Sequence, residues 1–224
     1  MIRAFLAVEP SPELRAELAV LQQDLNRTIE PEIPRGTRIS WVQPAKIHLT
    51  IKFLGDMDEQ LIDPLSVAVE QAIANKRAVN VPLEQLGVFP RPHNPRVLWV
   101  GPSEHWERGA EAKQVAEIHA AIEHVCEGLN FLRETQSFSP HLTLARMKMG
   151  ERKVGIALAK SGALDPPLAL SSLALETVAL MKSELKQTGS VYTKLWEVKN
   201  RRTAGPVADQ PNRPRTPPGV GREG

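Results

Sequence analysis

His48-Leu49-Thr50 and His141-Leu142-Thr143 write the same polar pattern 93 residues apart, inside the apolar runs "ISWVQPAKIHLTIKFLG" and "FSPHLTLAR". On an extended strand, alternate side chains share a face. His48 and Thr50 then point one way, and Leu49 and Ile51 the other. The same holds for His141 and Thr143 against Leu142 and Leu144. One such strand is what a half-buried histidine satisfied by a neighbour would need. Two with identical spacing fit a reaction that moves two protons, because imidazole, with an unperturbed pKa of ~6.5, serves as acid or base near neutrality. In-line displacement at phosphorus is such a reaction. One histidine deprotonates the nucleophile, the other protonates the leaving group, and the Thr50 and Thr143 hydroxyls bind the non-bridging oxygens. The motifs are nearly interchangeable, so which histidine gives its proton stays open.

Other chemistries lack their residues. Metal sites combine His with Asp, Glu or Cys at short spacing, and neither triplet has such a neighbour, so no metal is expected. No G-x-S-x-G elbow, G-x-x-x-x-G-K-[ST] loop or G-x-G-x-x-G is present, so nucleotide-dependent chemistry has no support. His93, His105, His119 and His124 have no Thr at i+2 and read as surface or packing residues. Cys126, the sole cysteine, lies in the helical pattern "AAIEHVCEGL" and reads as a buried structural thiol. It excludes an internal disulfide and fits a reducing compartment.

Secondary candidates surround the triplets. Arg146, three residues after Thr143, would face away on a regular strand and reaches a phosphate only if a bulge or strand end turns it inward. Trp41, Phe138 and Tyr192 are candidates for stacking on a base and equally for core packing. Phe53 is expected in the core because its separation from His48 is odd. Arg96 and Lys52 are weaker candidates for contact with a nucleic-acid backbone.

Elements must hold these residues in place. The 224 residues, 42% hydrophobic and 24% charged, suffice for one large domain or two small lobes. "IRAFLAV" (2–8) reads as a buried strand. A helix follows from Ser11 and Pro12, with Leu14, Leu18, Leu21 and Leu25 on one stripe. Strands are expected at 38–42 and 47–54, then a helix in "DPLSVAVEQAIANKR". "VNVPLEQLGVF" and "RVLWVG" read as a strand pair joined through "PRPHNP". One long helix is expected over 104–129, then the strand "HLTLARM", a short helix near 151–161, and strands near 170–181 and 191–198. Helices mixed with hairpin-like pairs indicate an α+β architecture with antiparallel or mixed sheets, and the strand–helix–strand context of each triplet hints at internal duplication.

The formal charge of +2 is a poor guide to partners. Residues 200–224, rich in Pro, Gly and Arg, hold five arginines against Asp209 and Glu223, which leaves the rest of the chain one unit negative. That tail is expected to be disordered. The opening "MIRAFLAVEP" lacks a signal peptide's long apolar stretch, and no segment reaches ~18 apolar residues. A cytoplasmic protein without a membrane span is expected.

The motifs resemble a known family. "HLTIKFLG" and "HLTLAR" are similar to the paired His-x-Thr signatures of the two-histidine (2H) phosphoesterase superfamily. "RAFLAV", "WVQPAKIHLTIKFLG", "PRVLWVG", "FSPHLTLAR" and "LMKSELKQTGSVYTKL" narrow the resemblance to the bacterial and archaeal RNA 2′,3′-cyclic phosphodiesterases, also called 2′-5′ RNA ligases (LigT-like). Ser183, Leu185, Gly189 and Tyr192 carry the last element. The resemblance spans residues 1–198 and implies a bilobal α+β domain (1–199), with pseudo-symmetric lobes around a cleft holding both histidines. It also implies hydrolysis of a terminal RNA 2′,3′-cyclic phosphate to a 2′-phosphomonoester without metal or nucleotide cofactor. His48 would donate a proton to the leaving 3′ oxygen and His141 would activate water. Thr50, Thr143, Arg146 and Tyr192 would contact substrate, and the same machinery reversed would join RNA ends through a 2′-5′ linkage. RNA with a cyclic phosphate end, tRNA fragments among them, is the expected partner, and a monomer the expected state. A small cyclic nucleotide or ADP-ribose cyclic phosphate is the rival substrate, and non-catalytic binding of RNA ends the rival function.

Overall fold

The computed structural model describes residues 1–165, 168–187 and 189–200. β1 (Ile2–Val8) buries every residue but Arg3. α1 (Pro12–Ile29) starts where expected: the Ser11 side chain accepts the Leu14 N–H, and Pro12 occupies the first turn. β2 (Arg38–Trp41) and the 3-10 turn Pro44–Lys46 lead into β3 (Leu49–Met57). α2 (Ile62–Ile73), β4 (Val79–Val81), β5 (Gln85–Phe89) and β6 (Val97–Gly101) follow. After α3 (Glu104–Glu107) and α4 (Ala110–Gly128) come β7 (Leu142–Met149) and α5 (Glu151–Ser161). β8 (Leu173–Leu175), β9 (Thr177–Lys186) and β10 (Gly189–Lys199) complete the described elements.

One antiparallel sheet runs β10-β9-β1-β3-β7-β6-β5, with β2 also paired to β7. Its two halves meet through a single pairing, Leu49 with Leu142, so the central residues of the two triplets form the seam. The architecture is α+β with antiparallel sheets, as the mixed order of elements indicates. β1 shows how the sheet divides space. Ala4, Leu6 and Val8 join the main core, while Phe5 and Ala7, on the other face, cluster with Ala179, Met181 and Tyr192. That second cluster floors the cleft.

Three readings change. The long helix breaks at Gly109, which caps α4, while Ser103 caps the single turn of α3. "VNVPLEQLGVF" is two strands, because Pro82 cannot donate to a ladder. β4 pairs with β8 in a small separate sheet, and only β5 pairs with β6. Asn200, counted with the tail, is buried and donates its N–H to the Glu176 carbonyl at 2.8 Å. The rest of the expected tail, 201–224, lies outside the described residues.

Candidate active site

A pair of matching β-bulges aims the site. On β3, Lys52 pairs with Leu6 and Thr50 with Ala7, so Ile51 is skipped. On β7, Ala145 pairs with Leu98 and Thr143 with Trp99, so Leu144 is skipped. Each strand thus buries two consecutive residues, and the two share one burial sequence over their first eight positions. Beyond a bulge the alternation shifts by one. Phe53 and Arg146, each five residues past a histidine, therefore return to the His-Thr face. The bulge delivers Arg146 to the cleft. It also brings out Phe53, which is 63% exposed and no core residue.

His48, Thr50, His141, Thr143, Arg146 and Tyr192 line one cleft of about 440 Å³. Each imidazole is held alike. His48 Nδ1 lies 2.8 Å from the Lys46 carbonyl, and His141 Nδ1 lies 2.8 Å from the Ser139 carbonyl. A carbonyl only accepts, so each Nδ1 carries the proton and donates it, leaving Nε2 of both rings for proton exchange. The Lys46 carbonyl is itself braced, because Arg15 of α1 donates to the neighbouring Ala45 carbonyl and to Pro10 O and pairs with Glu9. Aromatic rings fix the planes. His48 stacks on Phe5 at 4.7 Å and meets the edge of Tyr192 at 5.3 Å. His141 meets Phe89 edge-on at 5.0 Å, and Phe89 stacks on Trp99. Trp99 lies flat over Gly87, where a Cβ would collide with the indole.

Burial lowers the pKa of both histidines, and the Arg146 charge adds to the lowering at each. Both rings are thus biased toward the neutral form, with Nε2 a free base. Arg146 has no ion-pair partner among the described residues and presents an uncommitted cation beside both. Arg3 and Lys46 add positive charge at the rim. Among the described residues, no cluster of three His, Cys, Asp or Glu could hold a metal.

A second cavity of about 610 Å³ adjoins the first and shares Thr50, Phe53, His141, Thr143 and Arg146 with it. Phe89, His119, Gln136 and Phe138 belong to its wall, and His119 stacks on Phe138 at 4.3 Å.

The remaining candidates separate. Lys52 is not an RNA contact: it is 1% exposed and its Nζ binds both Glu123 carboxylate oxygens, at 2.7 and 2.9 Å, and the Leu132 carbonyl at 2.8 Å. Trp41 packs against the core and donates Nε1–H to Asn26, away from both cavities. Arg96 is exposed and lines neither cavity. Cys126 is buried, and burial pushes its thiol up to about 12. Sequence reasoning missed Gln22, whose amide donates to the Val42 and Leu144 carbonyls at 2.8 Å each and pins β7 to α1. Its signal was there: a polar residue between Leu18 and Leu25 on an apolar stripe.

Comparison with known proteins gives four findings. A profile of the LigT like phosphoesterases matches residues 8–99. The RNA 2′,3′-cyclic phosphodiesterase of Aeropyrum pernix is 32% identical over 166 residues, which is 73% of this chain and 88% of that protein. A crystal structure of a Thermus thermophilus protein superposes with a TM-score of 0.64 at 28% identity over 90% of this chain and 99% of that one. Escherichia coli LigT complexed with 3′-AMP superposes with a TM-score of 0.67 over 90% of this chain and 99% of that one; at 20% identity this is a likeness of fold.

Proposed function

Because the chain belongs to the LigT-like RNA 2′,3′-cyclic phosphodiesterases, we propose that it hydrolyses the terminal 2′,3′-cyclic phosphate of RNA to a 2′-phosphomonoester. The observation that carries this reading is the pair of histidines, each with Nδ1 tied to a carbonyl, flanking one seam with Arg146, which has no ion-pair partner among the described residues, beside both. His141 Nε2 takes a proton from water, whose oxygen bonds to phosphorus. The bond from phosphorus to the 3′ oxygen breaks, and that oxygen takes a proton from His48 Nε2. The Thr50 and Thr143 hydroxyls and the Arg146 guanidinium hold the non-bridging oxygens as charge builds there. Tyr192, against His48, flanks the terminal ribose. The same steps with an RNA 5′-hydroxyl in place of water form a 2′-5′ linkage.

The reading includes a cytoplasmic monomer acting on RNA ends, tRNA fragments among them, and a catalytic body of residues 1–199. No described helix is long and apolar enough to cross a membrane. The experiment is incubation with a defined cyclic-ended RNA and identification of the product phosphate. A 2′-phosphate is expected, and a 3′-phosphate or no turnover would refute the proposal. His48→Ala and His141→Ala should each slow turnover by about 10²–10⁴-fold, and chelators should leave it unchanged. An oligonucleotide end should be turned over faster than the corresponding mononucleotide, because Arg3 and Lys46 in the cleft offer cations for a further backbone phosphate.

A further inference from the structure

The supports of His48 converge on one carboxylate. Glu9 follows directly on β1, whose last residue, Val8, pairs with Leu49 beside His48. One Glu9 oxygen accepts from Arg15 Nη2 at 2.8 Å, and the other pairs with Lys194 Nζ. Arg15 carries the grip to the turn before β3. Its Nη1 donates to the Ala45 carbonyl at 3.2 Å and its Nε to the Pro10 carbonyl at 3.1 Å, which ties Pro44–Lys46 to α1 and to the chain leaving β1. That turn presents the Lys46 carbonyl to His48 Nδ1. Lys194 carries the grip to β10. Lys194 and Tyr192 are two residues apart on that strand and share a face. The Tyr192 ring meets both His48 and Phe5, at 5.3 and 5.2 Å between centroids. None of Glu9, Arg15 and Lys194 lines the cleft. All three side chains are partly exposed, and ion pairs this open to water add little to stability.

Resting on the proposed role of His48 as proton donor, we infer that Glu9 is a positioning residue, which through Arg15 fixes the His48 tautomer and through Lys194 fixes the plane of its ring. A neutral imidazole carries its one N–H on either nitrogen. The Lys46 carbonyl selects Nδ1, so Nε2 is the atom that gains and gives the transferred proton. With the turn released from α1, the carbonyl no longer makes that selection, and the ring loses the orientation that presents Nε2. With β10 released from Glu9, the edge of Tyr192 no longer holds the ring against Phe5.

The test reads the imidazole nitrogens of the full-length protein by NMR, at a pH where the rings are neutral. His141 serves as internal control in the same spectrum, because its carbonyl comes from Ser139 on another segment. In wild type both rings should show the Nδ1–H tautomer. In Glu9→Ala, His48 should become a mixture of the two tautomers while His141 keeps its own. On a cyclic-ended RNA, kcat should fall about 10- to 100-fold with KM little changed, because the displaced group acts in the reaction rather than in binding. Arg15→Met should reproduce both effects, and Lys194→Met should lower kcat while keeping the tautomer. Glu9→Gln, whose amide oxygen still accepts from Arg15, should retain the tautomer and most of kcat. A His48 tautomer that Glu9→Ala leaves unchanged, an equal change at both histidines, or an undiminished kcat in that variant overturns the inference. Absence of hydrolysis by wild type overturns the proposed function instead, and the tautomers still decide whether Glu9 positions the ring.

Discussion

At the residue scale, the two imidazoles carry the most specific expectations. In the proposed mechanism the competent enzyme has one histidine neutral and one protonated. Burial and Arg146 lower both pKa values, so the singly protonated pair peaks at a pH below the ordinary histidine value of ~6.5. The pH profile of kcat/KM should be bell-shaped with its maximum below ~6.5, falling as pH rises through 7 because both rings lose their protons. The kcat profile should lie at higher pH, since the bound phosphodiester anion favours imidazolium. Arg146→Ala removes a cation that depresses both histidines. Both limbs of the kcat/KM bell should then move to higher pH, while KM rises through the lost phosphate contact. Steady-state profiles of wild type and variant check this; a variant bell at unchanged pH would mean that the guanidinium does not act on the rings.

At the scale of elements, β3 and α4 are locked through Lys52 and Glu123, a buried ion pair with 0% and 5% side-chain exposure. The pair also holds the segment before β7, through the Leu132 carbonyl and the Glu134 N–H, and that segment supplies Phe138 and the Ser139 carbonyl that orients His141. Lys52→Met leaves a buried carboxylate without its cation and should cost about 3–5 kcal/mol of stability. Lys52→Met with Glu123→Leu replaces the pair with apolar groups and should restore most of it. Urea unfolding of the single and double variants measures the difference; equal loss in both would show that the charge pair is not the source. None of this was legible in the sequence, because Lys52 and Glu123 are 71 residues apart and only the fold brings them together. The strands were legible from their apolar runs, and the facing of His48 with Thr50 from simple alternation. The bulges were not: skipping Ile51 and Leu144 depends on β1 and β6 as partners, and it reverses what parity implies for Phe53 and, on a regular strand, for Arg146.

At the scale of the whole molecule, local charge counts for more than net charge. Outside residues 200–224 the chain is one unit negative, so a uniform basic surface cannot draw in RNA. The cations that line the cleft are Arg3, Lys46 and Arg146, gathered from β1, the turn before β3, and β7. Their spacing in sequence gives no hint of this convergence; the seam at Leu49 and Leu142 creates it by folding two separate motifs edge to edge. Engaging two or three backbone phosphates of a single strand should make binding fall with salt at a logarithmic slope of about −1.4 to −2.1. KM for a cyclic-ended oligonucleotide should therefore rise about 25- to 125-fold over a tenfold increase in salt. A cyclic mononucleotide, which meets only the central phosphate site, should show about half that slope or less. Lys46→Ala should lower the oligonucleotide slope by about 0.7 and leave the mononucleotide nearly unaffected, since Lys46 stands at the rim rather than at the reacting phosphorus. Equal slopes for the two substrates would place the recognised charge at the cyclic phosphate alone, and the cleft would then read an end group rather than an RNA strand.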